Sequence, residues 1–193
     1  YGSLLEPYEA QENSLFDPNS PYSVSKASGD MLCHAYYVTY KTPVVVVRGS
    51  NCYGKFQHPE KLIPRSITHL LQNKKIQIYG NGNHAREWIY VEDFCRGVET
   101  ALFKGQLGEA YNLGGGSSNR VSNNIIAAEL CKLLGKETSV EYIEDRKGHD
   151  ARYALDSSKL KDLGWTPQYD LAKGLKATVD WYQANESWWL PLI

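Results

Sequence analysis

Hydrophobic and polar residues follow two repeating patterns along the chain, one typical of helices and one typical of short buried strands. A polar, proline-containing stretch up to residue 20 precedes a segment with helical spacing. Ser20 is a suitable N-cap and Pro21 a suitable first helical residue. Thr42 precedes Pro43, which disfavours helical angles, so we expect the helix to end near Tyr40. The face expected to pack inward comprises Val24, Ser28, Met31, Ala35 and Val38.

The rest of the chain alternates between predicted strands and helices. The run PVVVVR, residues 43–48, is typical of a parallel strand covered on both faces. Such alternation predicts an α/β fold. Further strands are expected within residues 75–83, 86–90, 109–116 and 139–144, and further helices within 60–72, 91–105, 122–136, 156–165 and 171–185.

Composition narrows the classes of function. The 193 residues are 42% hydrophobic and 22% charged, with a formal net charge of -1. No overall positive field favours nucleic acid or an anionic membrane as a partner. No apolar run is long enough to cross a bilayer, and the N-terminus does not resemble a signal peptide. The four cysteines are widely spaced without a CxxC pair, which favours reduced thiols in a cytoplasmic protein and no metal site.

Tyr22 and Lys26 are four residues apart in the first predicted helix, so their side chains share one face. An ammonium beside a phenol favours the phenolate, which makes the tyrosine a candidate general acid/base. A YxxxK spacing alone arises easily, and a half-buried tyrosine beside a solvated lysine is the more ordinary explanation. The surrounding sequence must therefore decide between the two.

That surrounding sequence resembles the active-site half of an extended short-chain dehydrogenase/reductase. YSVSKASGDML, residues 22–32, is similar to the family's catalytic helix, and the valine-rich strand after it ends in RGSNCYG. Later segments narrow the resemblance to the dTDP-glucose 4,6-dehydratases, namely HPEKLIP, IQIYGNGNHAREWIYVEDFCRG, YNLGGG, DRKGHDARYALDSSKLKDLGW and WYQANESWW. The resemblance implies a partial Rossmann-like α/β fold with a C-terminal substrate-binding lobe.

The resemblance also implies catalytic and cofactor-binding residues. In this family the tyrosine, here Tyr22, acts as base on the sugar 4-hydroxyl while hydride passes from C4 to NAD. The lysine, here Lys26, holds the nicotinamide ribose and tunes the tyrosine. Cys52 stands where the family commonly has a second asparagine near the nicotinamide, so the cofactor contact at this position differs.

Several further positions match the family's substrate-binding residues. Lys61 and Leu62 match a substrate-binding pair, and Asn51 matches an asparagine that contacts the sugar nucleotide. The others are Gln77, Ile78 and Tyr79 on the strand that holds the nucleobase, Arg86 and Asn112, which grip the substrate, and the closing loop that includes Asp145, Arg146 and His149.

Elementary chemistry supports part of this assignment. The planar guanidinium groups of Arg86 and Arg146 suit two-point contact with a diphosphate. The ordinary alternative for either arginine is a surface ion pair worth at most ~1 kcal/mol. The LGGG stretch lacks the GK[ST] of a phosphate-binding loop, so we expect a turn near the substrate.

Parts of the family's machinery have no counterpart in this sequence. It contains no glycine-rich GxxGxxG turn that follows a strand, and the family's elimination carboxylates, Asp and Glu, would lie immediately upstream of Tyr1. The chain also begins without Met. We therefore expect a C-terminal fragment, inactive alone, with an incomplete NAD site.

The sequence predicts two regions and one main function. Residues 1–57 are expected to complete the dinucleotide-binding domain, and residues 58–193 to form mainly the nucleotide-sugar lobe, with some segments returning to the Rossmann sheet. The full-length protein is expected to be an NAD-dependent dTDP-glucose 4,6-dehydratase and a homodimer. Two alternatives remain open: a nucleotide-sugar 4-epimerase of the same family, and a non-catalytic sugar-nucleotide-binding chain.

Overall fold

The structure, a computed structural model, describes residues 1–145, 147–148 and 150–193. Its α-helices are Pro21–Tyr40 (α1), Leu62–Leu71 (α2), Val91–Lys104 (α3), Asn123–Leu133 (α4), Ser158–Asp162 (α5), Leu171–Ala184 (α6) and Glu186–Trp189 (α7). Its strands are Val46–Gly49 (β1), Asn51–Tyr53 (β2), Ile76–Tyr79 (β3), Ala85–Tyr90 (β4), Ala110–Leu113 (β5), Arg120–Ser122 (β6) and Val140–Ile143 (β7). The predicted α/β alternation is confirmed; β2, β6 and α7 were not predicted.

The strands form small sheets that are mostly parallel. β1 pairs with β5 in parallel, with Arg48 opposite Asn112. β4 lies between β2, which is parallel to it, and β6, which is antiparallel. β3 pairs with β7 in parallel. Since β1 pairs with a strand from the second half of the chain, that half returns to the first sheet; the boundary between residues 57 and 58 stays a prediction.

The helices and sheets pack around two apolar cores. The larger core includes Ile63 and Ile67 of α2, Leu130 of α4 and Leu175 of α6. The smaller core includes Ile89, Leu113, Leu160 and Trp165, and it lies beneath α3 and α5. The aromatic C-terminal end belongs to the larger core, because Trp189 is buried and donates its indole N–H to the Tyr182 carbonyl at 2.8 Å. In the part of the chain that the structure describes, we find no helix long and apolar enough to cross a membrane.

The ends of α1 agree with the sequence, but its packing does not. The Ser20 hydroxyl accepts a hydrogen bond from the Ser23 amide, and Pro21 occupies the first turn. Within these 193 residues the expected inward face is not covered: Val24, Met31 and Val38 are about half exposed, Ser28 and Ala35 are exposed as well, and α1 has no buried residue. The half-buried face of α1 instead comprises Ser23, Ala27, Asp30, Cys33 and Tyr37.

The physical reason for this offset lies in two contacts made by α1. Asp30 pairs with Arg48 of β1, and the Tyr37 ring packs so closely on Gly108 that any side chain there would overlap it. These contacts turn the Asp30 and Tyr37 face toward the body. The valine strand β1 is parallel as predicted; within these residues α3 contacts it, and Val46 and Val47 are half-buried.

The glycine stretch after β5 is a turn, as expected, and protein groups already occupy it. The Gly116 amide donates to Glu87 Oε1 at 3.0 Å, and the Gly114 amide donates to the Ser157 hydroxyl at 2.9 Å. A side chain at Gly114 would collide with the Glu87 carboxylate, and one at Gly115 with the Trp88 carbonyl. Glycine is required because two strands and a buried carboxylate converge at this turn.

Asp93, in the first turn of α3, joins that helix to the segment before α6. Its carboxylate is fully buried and accepts hydrogen bonds from the amides of Gln168, at 2.8 Å, and Tyr169, at 2.9 Å. Arg96 forms an ion pair with it, and the Asp93 carbonyl accepts from the Trp165 indole. A buried carboxylate without such partners would be strongly destabilising, so these groups form one unit.

We expect Asp93→Ala to lower the free energy of unfolding by about 3 kcal/mol, because it leaves two amides and a guanidinium unsatisfied. Urea denaturation measures this change. The control is Asp180→Ala, which removes an exposed ion pair with Lys176 on α6 and should change stability by about 0.5 kcal/mol or less. Equal losses in the two variants would contradict the role assigned to Asp93.

Candidate active site

α1 presents Tyr22 and Lys26 together on its surface. The Lys26 ammonium lies 5.6 Å from the centroid of the Tyr22 ring, as the four-residue spacing predicts. Tyr22 is 71% exposed. The Ser20 cap and Pro21 fix the helix start just before the tyrosine. The phenol is therefore open to an incoming molecule and has a positive charge beside it.

Asn51 and Cys52 lie in β2, directly after the carboxyl end of β1, where parallel α/β sheets commonly bind ligands. Both are half-buried. Burial, with a smaller contribution from Cys95, raises the pKa of the Cys52 thiol to about 12. The Cys52 thiol beside Asn51 therefore stays protonated and neutral, and a neutral thiol is a poor nucleophile. The cysteines are free thiols.

Lys61 and Leu62 lie at the start of α2. Lys61 occupies the N-cap position and forms an exposed ion pair with Glu60 at 2.9 Å. Leu62 is half-buried and packs against the larger core. An exposed pair of this kind costs little to break, so the lysine is available to an anionic ligand.

The predicted nucleobase strand is β3, and its side chains differ in accessibility. Ile78 is fully buried in the core, so any contact with a ligand would be made by its backbone; its place on the nucleobase strand stays a prediction. Its strand position explains the burial, because alternate side chains face the core. Gln77 accepts from Arg65 and donates to Glu141 at 2.8 Å, and Tyr79 is half-buried.

Arg86 of β4 is buried against the predicted closing loop. Its guanidinium donates to the Asp150 carbonyl at 2.6 Å and to the Ala151 carbonyl at 3.2 Å. It also lies 4.4 Å from the centroid of the Tyr153 ring. The structure therefore places Arg86 beside this loop, with these donors directed at backbone carbonyls; its contact with a diphosphate stays a prediction.

The loop itself is only partly covered by the described residues. Asp145 pairs with His84 at 3.3 Å and lies close to Gly80, in the turn after β3. Arg146 and His149, both predicted to bind substrate, lie outside the described residues. Asp145 thus lies against the turn after β3, and Asp150 against Arg86 of β4; that this neighbourhood binds a nucleotide stays a prediction.

Asn112 of β5 holds hydrogen bonds to the N-terminal segment, and its contact with substrate stays a prediction. Its side chain is fully buried, accepts from the Tyr1 hydroxyl at 2.9 Å and donates to the Ala10 carbonyl at 2.8 Å. Its backbone amide donates to Glu12 Oε1 at 2.8 Å. These hydrogen bonds join the N-terminal segment to β5 in this structure.

Sequence reasoning missed two buried polar clusters beside the site. Arg48 of β1 contacts Asp30 and the Tyr1 hydroxyl. Glu87 of β4 is fully buried and accepts from the Leu155 amide at 3.1 Å and from Arg120 at 3.0 Å. The sequence did contain a signal for each cluster, namely a charged residue within a predicted strand. Such a residue indicates a partner nearby, because buried charges occur almost only with partners. Among the described residues no cluster of three or more His, Cys, Asp or Glu side chains could hold a metal.

Comparison with known proteins places this geometry in a family. A family model described as GDP-mannose 4,6 dehydratase matches residues 1–178. The chain belongs to this family. A relative within it from Streptomyces griseus, named dTDP-glucose 4,6-dehydratase, is 49% identical over all of this chain and 58% of its own length. The resemblance to that group of dehydratases is confirmed.

Solved structures of other proteins agree with this family assignment. The dTDP-glucose 4,6-dehydratase of Bacillus anthracis, in complex with NAD, matches with a TM-score of 0.94 and 45% identity over all of this chain and 61% of that one. A UDP-glucuronic acid 4-epimerase of Bacillus cereus matches with a TM-score of 0.88 and 32% identity over 95% of this chain and 58% of that one. The partial Rossmann-like fold is confirmed. The chain spans about three fifths of the length of these proteins.

The carboxyl group of Asp150 should make the stability of the folded protein depend on pH. Burial alone would raise the pKa of its carboxyl, but hydrogen bonds from Asn19, Tyr153 and Ser3 outweigh it and lower the pKa below 3.8. The folded state then binds fewer protons than the unfolded state. The stabilisation is complete well above pH 3.8 and is lost as the pH falls through the lowered pKa.

We expect Asp150→Asn to be less stable than the wild type at pH 7, with a gap that narrows as the pH falls below 3.8. The cause is that the wild-type carboxylate becomes protonated and loses its advantage over the amide. Urea denaturation at a series of pH values measures the gap. A gap that stays constant down to acid pH would contradict the assignment.

Proposed function

We propose that the full protein catalyses the NAD-dependent dehydration of dTDP-glucose to dTDP-4-keto-6-deoxyglucose. The observation that carries this proposal is the exposed pair of Tyr22 and Lys26 on a capped helix. The chain is also matched along its whole length by a relative named dTDP-glucose 4,6-dehydratase. The 193 residues would supply the groups for oxidation at C4 and most of the nucleotide-sugar lobe.

The residues present fit the nicotinamide end of the cofactor site. Tyr22 and Lys26 are exposed side by side, and Asn51 and Cys52 lie at a strand end of the kind that binds ligands. NAD, when bound, would accept the hydride from C4 of the sugar and return it to C6 after water has left, while a proton returns to C5, so that no outside oxidant or reductant is needed. Tyr22 would take the proton of the 4-hydroxyl, and the Lys26 charge would stabilise the phenolate that performs this step.

Water elimination requires an acid and a base in addition to the tyrosine. Once C4 is a ketone, the proton on C5 is acidic enough for a carboxylate to remove while the 6-hydroxyl leaves as water. We propose that these carboxylates lie upstream of Tyr1, as the family resemblance implies. On this proposal the 193 residues alone would bind the nucleotide sugar but not turn it over.

We also propose that the full protein is a cytoplasmic homodimer. Its free cysteines suit a reducing compartment. The exposed apolar face of α1, which includes Met31, Leu32, Tyr36 and Tyr40, is of the kind that pairs with a second copy. Light scattering that finds a monomer would defeat the dimer proposal.

A 4-epimerase is the second candidate, supported by the match to the Bacillus cereus epimerase. The two activities share the tyrosine and lysine but differ in the mass of the product. Dehydration removes one water from the sugar nucleotide, whereas epimerisation leaves its mass unchanged. Mass spectrometry of the product formed from dTDP-glucose by the native protein therefore decides between them; a product of unchanged mass would defeat the dehydratase proposal.

We expect Tyr22→Phe to lower kcat by about 10²-fold or more while leaving the affinity for dTDP unchanged, because only the acid/base group is removed. The matched control is Tyr8→Phe, since Tyr8 is also 71% exposed but lies outside the site. Steady-state kinetics and calorimetric titration with dTDP measure both quantities. Full activity in Tyr22→Phe would rule out the tyrosine as the catalytic base.

A further inference from the structure

Glu87 of β4 is a buried carboxylate that the proposed chemistry does not use. Its side chain is fully buried. Its Oε1 accepts from the Gly116 amide at 3.0 Å, and its Oε2 accepts from the Leu155 amide at 3.1 Å and from Arg120 Nη2 at 3.0 Å. A buried charge persists only with partners of this kind. Because the donors belong to this chain, other parts of the protein can add to the burial of Glu87 but cannot remove it.

The three donors come from three separate parts of the fold. Gly116 follows β5, and Arg120 begins β6. Leu155 ends the stretch of residues 150–155, which we call the return segment because it follows the predicted closing loop. One carboxylate on β4 therefore fixes the turn after β5, the start of β6 and the end of the return segment relative to one another.

The return segment is held by three consecutive residues of β4. Arg86 donates to two carbonyls at the start of the segment, at 2.6 and 3.2 Å. The backbone amide and carbonyl of Ala85 pair with the middle of the segment at 3.0 and 3.3 Å. Glu87 accepts from the amide of Leu155, at its end. The backbone of the segment is thus fixed against β4 along its length.

Arg120 links the same carboxylate to the N-terminal segment. Its Nη2 lies 2.6 Å from Glu9 Oε1 as well as 3.0 Å from Glu87 Oε2, and its side chain is only 10% exposed. Burial would lower the pKa of Arg120, but its hydrogen bonds with Glu9 and Glu87 raise it, so the guanidinium stays charged. The Ala10 amide donates to the Ala154 carbonyl at 2.9 Å. The return segment therefore lies between β4 and the N-terminal segment.

We propose that Glu87 is a positioning residue that fixes the return segment against β4 at the place that nucleotide binding requires. This inference rests on the proposed function, since it concerns the loop proposed to bind the nucleotide. Because the Glu87 side chain is fully buried, its effect would reach the ligand through the backbone of the return segment. Arg86 is unsuitable for the test, because a substitution there would also remove its own predicted contact with the diphosphate.

Asp93 of α3 offers a matched control for Glu87. It is also a fully buried carboxylate that accepts from two backbone amides and pairs with an arginine, but its amides belong to residues 168–169. Glu87→Gln and Asp93→Asn make the same chemical change, in which an NH2 group that cannot accept replaces one accepting oxygen. Both variants should lose stability for the same reason, and only Glu87→Gln should disturb the return segment.

In Glu87→Gln of the native protein we expect the Kd for dTDP and the KM for dTDP-glucose to rise about tenfold, because contacts of a buried charge are lost. The kcat should stay within about threefold, since the catalytic pair is not displaced. Amide exchange should become faster in residues 150–155. Calorimetric titration, steady-state kinetics and hydrogen exchange measure these changes.

In Asp93→Asn we expect Kd, KM and kcat to stay within about twofold of the wild type. Faster amide exchange should include residues 168–169 and leave residues 150–155 unchanged. If Glu87→Gln does not fold, Glu87→Asp takes its place. That variant keeps the charge opposite Arg120 but withdraws the carboxylate by one methylene group, and its effects should have the same direction.

Unchanged affinity for dTDP in the Glu87 variant would overturn the proposal, and so would weaker binding without faster exchange in residues 150–155. An equal rise of Kd in Asp93→Asn would attribute the effect to lost stability and would overturn it as well. A wild type that binds dTDP but does not turn over dTDP-glucose would contradict the proposed dehydration, and Kd and exchange would then decide the role of Glu87. A wild type that does not bind dTDP would defeat both proposals.

Discussion

Charged side chains that lie within the strands, with little exposure to solvent, must find partners, and most of those partners come from distant parts of the chain. Arg48 of β1 is the clearest case, because it binds Asp30 of α1 and the hydroxyl of Tyr1 at once. The carboxylate of Glu87 in β4 similarly accepts hydrogen bonds from Arg120 and from the Gly116 amide after β5. α1, the N-terminal segment and the strands β1 and β4 are joined at these points, so satisfying these charges also brings together the elements that carry the proposed site.

Local chemistry made much of the fold predictable. Ser20 and Pro21 define the start of α1 because a cap and a fixed φ act on neighbouring residues alone. The pairing of Tyr22 with Lys26 follows from helical geometry. The turn after β5 was predicted from its glycines, and the structure adds the reason, which is that Glu87 occupies the space a side chain would need.

The parts that could not be predicted depend on contacts between residues far apart in the sequence. The face of α1 that meets the rest of the chain carries the ion pair between Asp30 and Arg48, which the apolar positions of the helix did not indicate. The side chain of Asn112 hydrogen-bonds Tyr1, 111 residues away. The alternation of β3 places the Ile78 side chain in the core. Residue spacing and secondary-structure propensity do not indicate contacts between residues so far apart in the sequence.

We propose that β3, β4 and the loop residues around Asp150 bind the nucleotide, and hydrogen exchange of the 193-residue chain with and without dTDP tests this most directly. Binding should slow amide exchange in residues 76–79, 85–90 and 150–153, because the ligand would stabilise the strands and loop that contact it. Slowing confined to other segments, or unchanged exchange at saturating dTDP, would contradict the claim.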